Sequence, residues 1–224
     1  MMRRLISLFY VAVWVLPIFG AQVANFENDE NVKSNQVLSR YKNNSVVFLR
    51  NDSFFIAELD SRGKIVNAAY TTDFDRIQPE GQFAYSEKSG ELYYVNGGKL
   101  FKAKQRKSGK WVNSAYIEVK GSEVKRDKYP GSVLAYANWR YLPKDSIVIV
   151  NPTINSQGDV LYFSSNMNNT KGKDIWEMSK DQNGEWGNPV RMDASVNTVD
   201  ADEDFPFVND EGMLVFASNR GNTS

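Results

Sequence analysis

The chain has 224 residues and contains no cysteine and no histidine, a length for one large β domain or two small domains. Those two absences exclude disulfide staples, Cys/His zinc centres, histidine-dependent triads and cysteine nucleophiles. Lys+Arg and Asp+Glu both number 27, so the formal net charge is zero, and 42% hydrophobic residues with 13% aromatics supply a real core without the basic excess of a nucleic-acid binder.

Residues 1–21 read as a secretory signal peptide. MMRR is followed by the apolar run LISLFYVAVWVLPIFG from Leu5 to Gly20, then Ala21. This is the order of a basic n-region, an apolar h-region and small residues at a cleavage site. The run is shorter than the ~20 residues that span a bilayer; the rival reading is an uncleaved membrane anchor. Cleavage near Ala21 removes Arg3 and Arg4, leaving 27 − 2 = 25 basic against 27 acidic residues. Secretion without cysteine points to a bacterial envelope, and a lipid anchor is excluded for want of a cysteine to carry it. Residues 22–36 form a polar, acidic leader.

Internal repetition dominates the remainder, 37–224. SVVFLRNDSFFIAELDSRGKIVNAAY (45–70) aligns without a gap with ELYYVNGGKLFKAKQRKSGKWVNSAY (91–116): Phe55 with Phe101, Gly63 with Gly109 (109 − 63 = 46), Tyr70 with Tyr116. A third copy spans 158–192, where Ile175-Trp176 and Gly184-x-Trp186 stand for Leu100-Phe101 and Gly109-x-Trp111. A fourth begins at 205–220, echoing 151–166. Each copy has a short apolar run suited to a buried strand: Val46–Leu49, Leu92–Val95, Val160–Phe163 and Met213–Phe216. In the first three copies a second run follows, then a hairpin signal at Ser61-Arg62-Gly63, Ser108-Gly109 or Asn183-Gly184, where Asn-Gly supplies the positive-φ residues of a tight two-residue hairpin. Four short hairpin-linked strands per unit of roughly 45–55 residues make a β-propeller blade. The predicted blades are 37–75, 79–122, 147–198 and 204–224, with 123–146 an insertion or a degenerate strand pair. No stretch sustains helical periodicity. The competing architectures are a stacked sandwich and a β-solenoid.

The third and fourth copies resemble a known family. NPTINSQGDVLYFSSN, KDIWEMSKDQNGEW and VNTVDADEDFPFVNDEGMLVFASNRG are similar to WD40-like propeller repeats of the TolB type, in the version found beside OmpA-like domains in Bacteroidetes envelope proteins. The resemblance rests on Pro152, Gly158, Leu161, Phe163, Asn166, Asp174, Ile175, Trp176, Asn183, Gly184 and Trp186, and covers 147–222. It implies an all-β, incomplete TolB/WD40-like propeller of about three blades plus part of a fourth. Fewer than about four blades do not close a ring, so the expectation is a fragment, a truncated product or half of a split propeller.

No motif specifies catalysis. Asp200, Asp202, Glu203 and Asp204 could offer oxygens to a weakly held cation, but the spacing is not that of an EF-hand and a solvated inter-blade loop is the plainer reading. SKDQNGEW (179–186) departs from the sialidase Asp-box by one position at both Gly and Trp, and reads as a hairpin with Trp186 packed on its blade. Lys102, Lys104, Arg106, Lys107 and Lys110 flank Phe101 and Trp111; alternate lysines are also how an edge strand resists pairing, and that reading is preferred to nucleic-acid binding.

The expected function is therefore a non-catalytic cell-envelope propeller, a protein- or glycan-binding or scaffolding module with no cofactor and no metal. The resemblance implies an envelope protein or peptidoglycan-associated partner in the periplasm or at the outer membrane. Candidate partner-binding residues, chosen by loop position, are Asn168, Asn169, Lys171, Lys173, Asp200, Asp202, Asp204, Asn219 and Arg220. The alternative is the propeller portion of a secreted hydrolase whose catalytic domain is missing from this chain.

Overall fold

The computed structural model describes residues 36–120, 147–167 and 172–221. The predicted signal peptide, most of the leader, the 123–146 insertion, and Asn168, Asn169 and Lys171 lie outside the described residues. What is described is all-β. Three sheets have four strands and a fourth has two, each ordered as a plain antiparallel meander. The first sheet is β1 (Gln36–Tyr41), β2 (Ser45–Arg50), β3 (Ser53–Leu59) and β4 (Ile65–Thr71). The second is β5 (Ala84–Ser86), β6 (Glu91–Asn96), β7 (Lys99–Gln105) and β8 (Trp111–Tyr116). The third is β9 (Ile149–Ile154), β10 (Val160–Ser165), β11 (Asp174–Ser179) and β12 (Val190–Arg191). The fourth is β13 (Glu203–Val208) with β14 (Leu214–Ser218).

Turn chemistry fixes these registers, and it corrects one expectation. Asn183-Gly184 is not a two-residue hairpin. Asp60–Lys64, Arg106–Lys110 and Asp181–Glu185 each close a three-residue loop: the glycine N–H donates to the first residue's carbonyl, at 2.9, 2.9 and 3.0 Å. Only the glycine takes a positive φ, 76° at Gly63 and 80° at Gly184, while Asn183 does not. This is the type I turn with a left-handed glycine. The Asp60 carboxylate accepts from Arg62 N at 2.8 Å and Lys64 N at 2.9 Å, and Asp181 does the same for Asn183 and Glu185. Those backbone donors hold both carboxyls below their ordinary pKa. The true two-residue turns are Asn43-Asn44, Asn51-Asp52 and Gly97-Gly98, where both residues have positive φ, as the type I′ turn requires.

Alternation along each strand then sorts side chains to two faces. On β6, Leu92 and Tyr94 join Tyr41, Val47, Phe54, Phe74 and Trp111 in a core between the first and second sheets. Tyr93 and Val95 join Ile149, Leu161, Phe163, Trp176 and Met178 in a core between the second and third. Each fully buried side chain of this size contributes roughly 1.5–3 kcal/mol. In-register aromatic rows cross two of the sheets. Phe48, Phe55 and Tyr70 have centroids 5.3 and 5.9 Å apart, and Tyr94, Phe101 and Tyr116 lie 5.6 and 5.7 Å apart. The repeat pairs Phe55/Phe101 and Tyr70/Tyr116 thus hold the same station in consecutive blades.

The leading strand of each sheet lies against the leading strand of the next: β1 on β5, β5 on β9, β9 on β13. Stacked sheets sit about 10 Å apart, so a straight pile of four would separate first and fourth by ~30 Å. Instead Arg40 of β1 bonds Asp210 in the β13–β14 turn at 2.9 Å. The row of sheets therefore curves with the leading strands inside. This is a propeller-type arrangement, incomplete, and not a flat sandwich or a solenoid.

The lysine-rich strand is also placed differently from expectation. β7 lies between β6 and β8 and is not an edge. Lys102 and Lys104 instead reach Glu91 at 3.2 and 3.9 Å, and Lys110 Nζ donates to the Thr72 carbonyl at 2.9 Å.

Candidate functional site

Outside the tight hairpin turns, three described non-glycine residues take a left-handed backbone, one in the loop before β5 and two in inner strands. Gln78, Asn151 and Phe205 have φ of 42°, 54° and 53°, and each immediately precedes a proline. A left-handed conformation costs a non-glycine residue roughly 1–2 kcal/mol, and the residue before proline is already restricted. At Asn151-Pro152 and Phe205-Pro206 the register slips against β10 and β14, so both are β-bulges in strands facing the axis. Such strain persists where the surroundings over-determine it.

The surroundings here are a polar network. Asn151 Nδ2 donates to Asp204 Oδ1 at 2.8 Å, and Phe205 N donates to the same oxygen at 2.8 Å. The Lys173 ammonium bonds the other Asp204 oxygen. Gln82, leading into β5, donates from Nε2 to the Pro206 carbonyl at 2.8 Å and to the Pro152 carbonyl at 3.4 Å. One glutamine side chain thereby ties three sheets together at the axis.

Outward from the axis the network continues as a seam between third and fourth sheets. Lys173 N donates to Asp202 Oδ1 at 2.8 Å, and Asp202 N donates to Asn219 Oδ1 at 2.8 Å. A side chain at Gly172 would collide with the Asp202 carboxylate, which explains a glycine there. Glu203 is fully buried and accepts from Thr198 N and Thr198 Oγ1 at 3.0 Å, Ser218 Oγ at 2.8 Å and Arg220 Nη2 at 3.2 Å. Asn197, also buried, spans the Ile175 backbone: its Oδ1 accepts from Ile175 N at 2.7 Å and its Nδ2 donates to Ile175 O at 2.9 Å. Asp174 takes Arg191 in a two-pronged bridge at 2.9 and 2.7 Å. The buried polar groups of this seam are thus hydrogen-bonded, as burial demands.

Of the residues chosen from loop position, the structure brings Lys173, Asp202, Asp204, Asn219 and Arg220 into this one seam. Each uses part of its bonding capacity within the chain. The ammonium end of Lys173 and the Arg220 guanidinium stay partly open, both side chains 36% exposed. Asp200 is exposed on the approach to the seam. The acidic run does not gather its carboxylates on one point: Asp202 faces the Lys173 backbone, Asp204 faces Asn151 and the Lys173 ammonium, and Glu203 faces Thr198 and Arg220. Among the described residues no three acidic side chains converge as metal ligands. Loop position and motif spacing did not single out Gln82, Asn151 or Asn197, and they placed Glu203 only among the acidic run's candidate oxygens. The available signal was the proline spacing, Pro206 − Pro152 = 54, which marks two bulges at the same depth.

Elsewhere, Glu91 is pushed up by burial, but hydrogen bonds from Tyr93 and Lys102 outweigh it and leave the carboxyl below its ordinary pKa. Burial, reinforced by Glu91, raises the Tyr93 hydroxyl. Trp186 packs edge-on to Tyr93 with centroids 5.7 Å apart, so SKDQNGEW is a hairpin whose tryptophan closes the core between second and third sheets.

The fold and this seam define a propeller-type chain of antiparallel meander sheets. No family model matches the chain, and no curated protein matches it. Solved structures to which it is similar include a protein from Lactobacillus plantarum, at 10% identity over 75% of this chain and 43% of that one, with a TM-score of 0.37. They also include TolB from Acinetobacter baumannii, at 8% identity over 85% of this chain and 39% of that one, with a TM-score of 0.43. The chain spans about two fifths of the length of these structures. Among the described residues no helix is long and apolar enough to cross a membrane.

Proposed function

We propose that this chain is a non-catalytic binding or scaffolding module of the bacterial cell envelope, exported by residues 1–21 and engaging an envelope protein or a peptidoglycan-associated partner. The observation that carries the reading is the axial seam. Two inner-strand residues, Asn151 and Phe205, hold strained pre-proline conformations, and the polar side chains around them bond to one another and to backbone. That is a surface fixed in shape. The partly open ends of Lys173 and Arg220, with exposed Asp200 and Asn219, supply mixed polar contacts on its rim.

The processed full chain is incubated with isolated peptidoglycan sacculi, alone and with a solubilised envelope-protein fraction, and sedimented. It is tested in parallel against peptide and glycoside cleavage panels. Co-sedimentation that weakens in Lys173→Ala and Arg220→Ala bears the reading out. Turnover of a panel substrate, or no co-sedimentation in either condition, refutes it.

A further inference from the structure

Where the first and second sheets meet, three aromatic rings form the walls of a box. Tyr41 ends β1, Tyr85 lies in β5 and Trp111 opens β8. Their planes are inclined by 57° (Tyr41–Tyr85), 68° (Tyr41–Trp111) and 75° (Tyr85–Trp111). Trp111 Nε1 donates to the Tyr41 hydroxyl at 3.0 Å, which locks two of the walls. The box holds one cation, the ammonium of Lys42, at 5.4 Å from the Tyr41 centroid, 5.6 Å from Tyr85 and 5.4 Å from Trp111. All three lie inside the ~6 Å within which a cation is attracted to a ring face.

We propose that Tyr41, Tyr85 and Trp111 are a recognition site for a small quaternary or methylated ammonium ion, which the chain's own Lys42 occupies in the free protein.

Four observations carry this. The first is size. A methyl group bonded to nitrogen at about 1.5 Å, touching a ring at the ~3.5–4.0 Å contact distance of carbon, puts the nitrogen about 5.0–5.5 Å from the ring. That is close to the observed spacing. The second is charge: Asp73 and Glu87 both act on the Lys42 ammonium to favour its charged form, so the site's field attracts cations. The third is that burial works against Lys42, lowering its pKa as the leading effect. A methylated ammonium is more weakly hydrated and loses less on entering. The fourth is release. The Lys42–Ser45 turn uses the Lys42 carbonyl, which accepts from Ser45 N at 3.1 Å and Ser45 Oγ at 2.6 Å. The Lys42 side chain bonds only Gln105 among the described residues, so it can swing out without unmaking the hairpin.

The contrast with Lys180 sharpens the point. Its ammonium lies 4.8 Å from the Trp186 ring and 5.7 Å from Tyr93, but it also donates to the Gly158 carbonyl at 2.8 Å and the Tyr93 hydroxyl at 3.2 Å. That lysine has two walls and fixed partners, and serves as a tie. Lys42 has three walls and one side-chain partner.

The test is a choline titration of the processed full chain, followed by tryptophan fluorescence and by the Lys42 ε-methylene protons in NMR. Its control is 3,3-dimethyl-1-butanol, the uncharged analogue of the same shape. Lys42→Ala should bind choline at least about tenfold more tightly than the parent chain, the neutral analogue should not bind, and adding Tyr85→Ala should abolish binding. In the parent chain the Lys42 ε-methylene protons should be shifted upfield by the three rings and should return towards free-lysine values as choline saturates. The proposal is overturned if folded Lys42→Ala gives no response to choline or binds the neutral analogue as well. It is equally overturned if the parent's upfield shift is absent or survives excess choline, a measurement that needs no variant.

Discussion

Replacing Glu203 by alanine should loosen the fourth sheet from the connection that leads into it from the third. Its carboxylate is fully buried and takes four hydrogen bonds, from Thr198 N, Thr198 Oγ1, Ser218 Oγ and Arg220 Nη2. Truncation removes the acceptor for all four donors at once. A buried donor left unpaired costs roughly 1–3 kcal/mol, and breaking a buried charge pair from one side costs about 3–5 kcal/mol. Arg220 is 36% exposed along its side chain and can turn to water, so the lower end applies, about 3 kcal/mol. Glu203→Gln keeps the shape and two acceptor lone pairs and should cost about half of that. The loss should appear first as faster amide exchange in β13 and β14, since the fourth sheet has two described strands. Denaturant midpoints give the global effect, and hydrogen exchange read by mass spectrometry gives the local one. A Glu203→Ala chain within 1 kcal/mol of the parent, with unchanged β13–β14 protection, would refute the view that this carboxylate holds the fourth sheet to the segment around Thr198.

Two glycines with similar backbone should respond differently to alanine. Gly184 has φ 80° with open space around an added Cβ, whereas at Gly158, φ 71°, the Cβ would lie 2.7 Å from Ser86 Oγ; Gly184→Ala should cost about 1–2 kcal/mol and Gly158→Ala measurably more in thermal unfolding, with the excess shrinking in a Ser86→Ala background. Tyr41→Phe leaves the buried Trp111 Nε1 without its acceptor and should cost about 1–3 kcal/mol, read from the denaturant midpoint. Stability should be flat from about pH 6 to 9, because no histidine or cysteine titrates there. Burial raises the Tyr41 and Tyr94 hydroxyls to about 12. Their neutral forms therefore stabilise the fold fully below the ordinary tyrosine pKa of ~10, and that stabilisation falls away as pH rises from there through 12. Thermal melts against pH should show the plateau and the alkaline decline; a transition between pH 6 and 8 would contradict it.

The periodic parts of this protein are written in its residue order. A four-strand unit was legible because strand faces alternate with period two and each turn needs particular residues. Glycines at 63, 109 and 184 and the Phe55/Phe101 and Tyr70/Tyr116 pairs therefore return at matching stations. Local chemistry also misled. Asn183-Gly184 has the composition of a two-residue turn, but Asp181 pulls the backbone into a longer loop through its carboxylate. The lysines of β7 look like edge protection until Glu91, on the neighbouring strand, is seen to pair with two of them. Which sheets meet, and through what, is settled by packing in three dimensions. Gln82 reaching Pro152 and Pro206, Arg40 reaching Asp210, and three rings closing on Lys42 all join residues far apart in the chain. Their geometry depends on how far each sheet rotates against the next, and that rotation is set by packing across whole faces, which no local run of residues encodes.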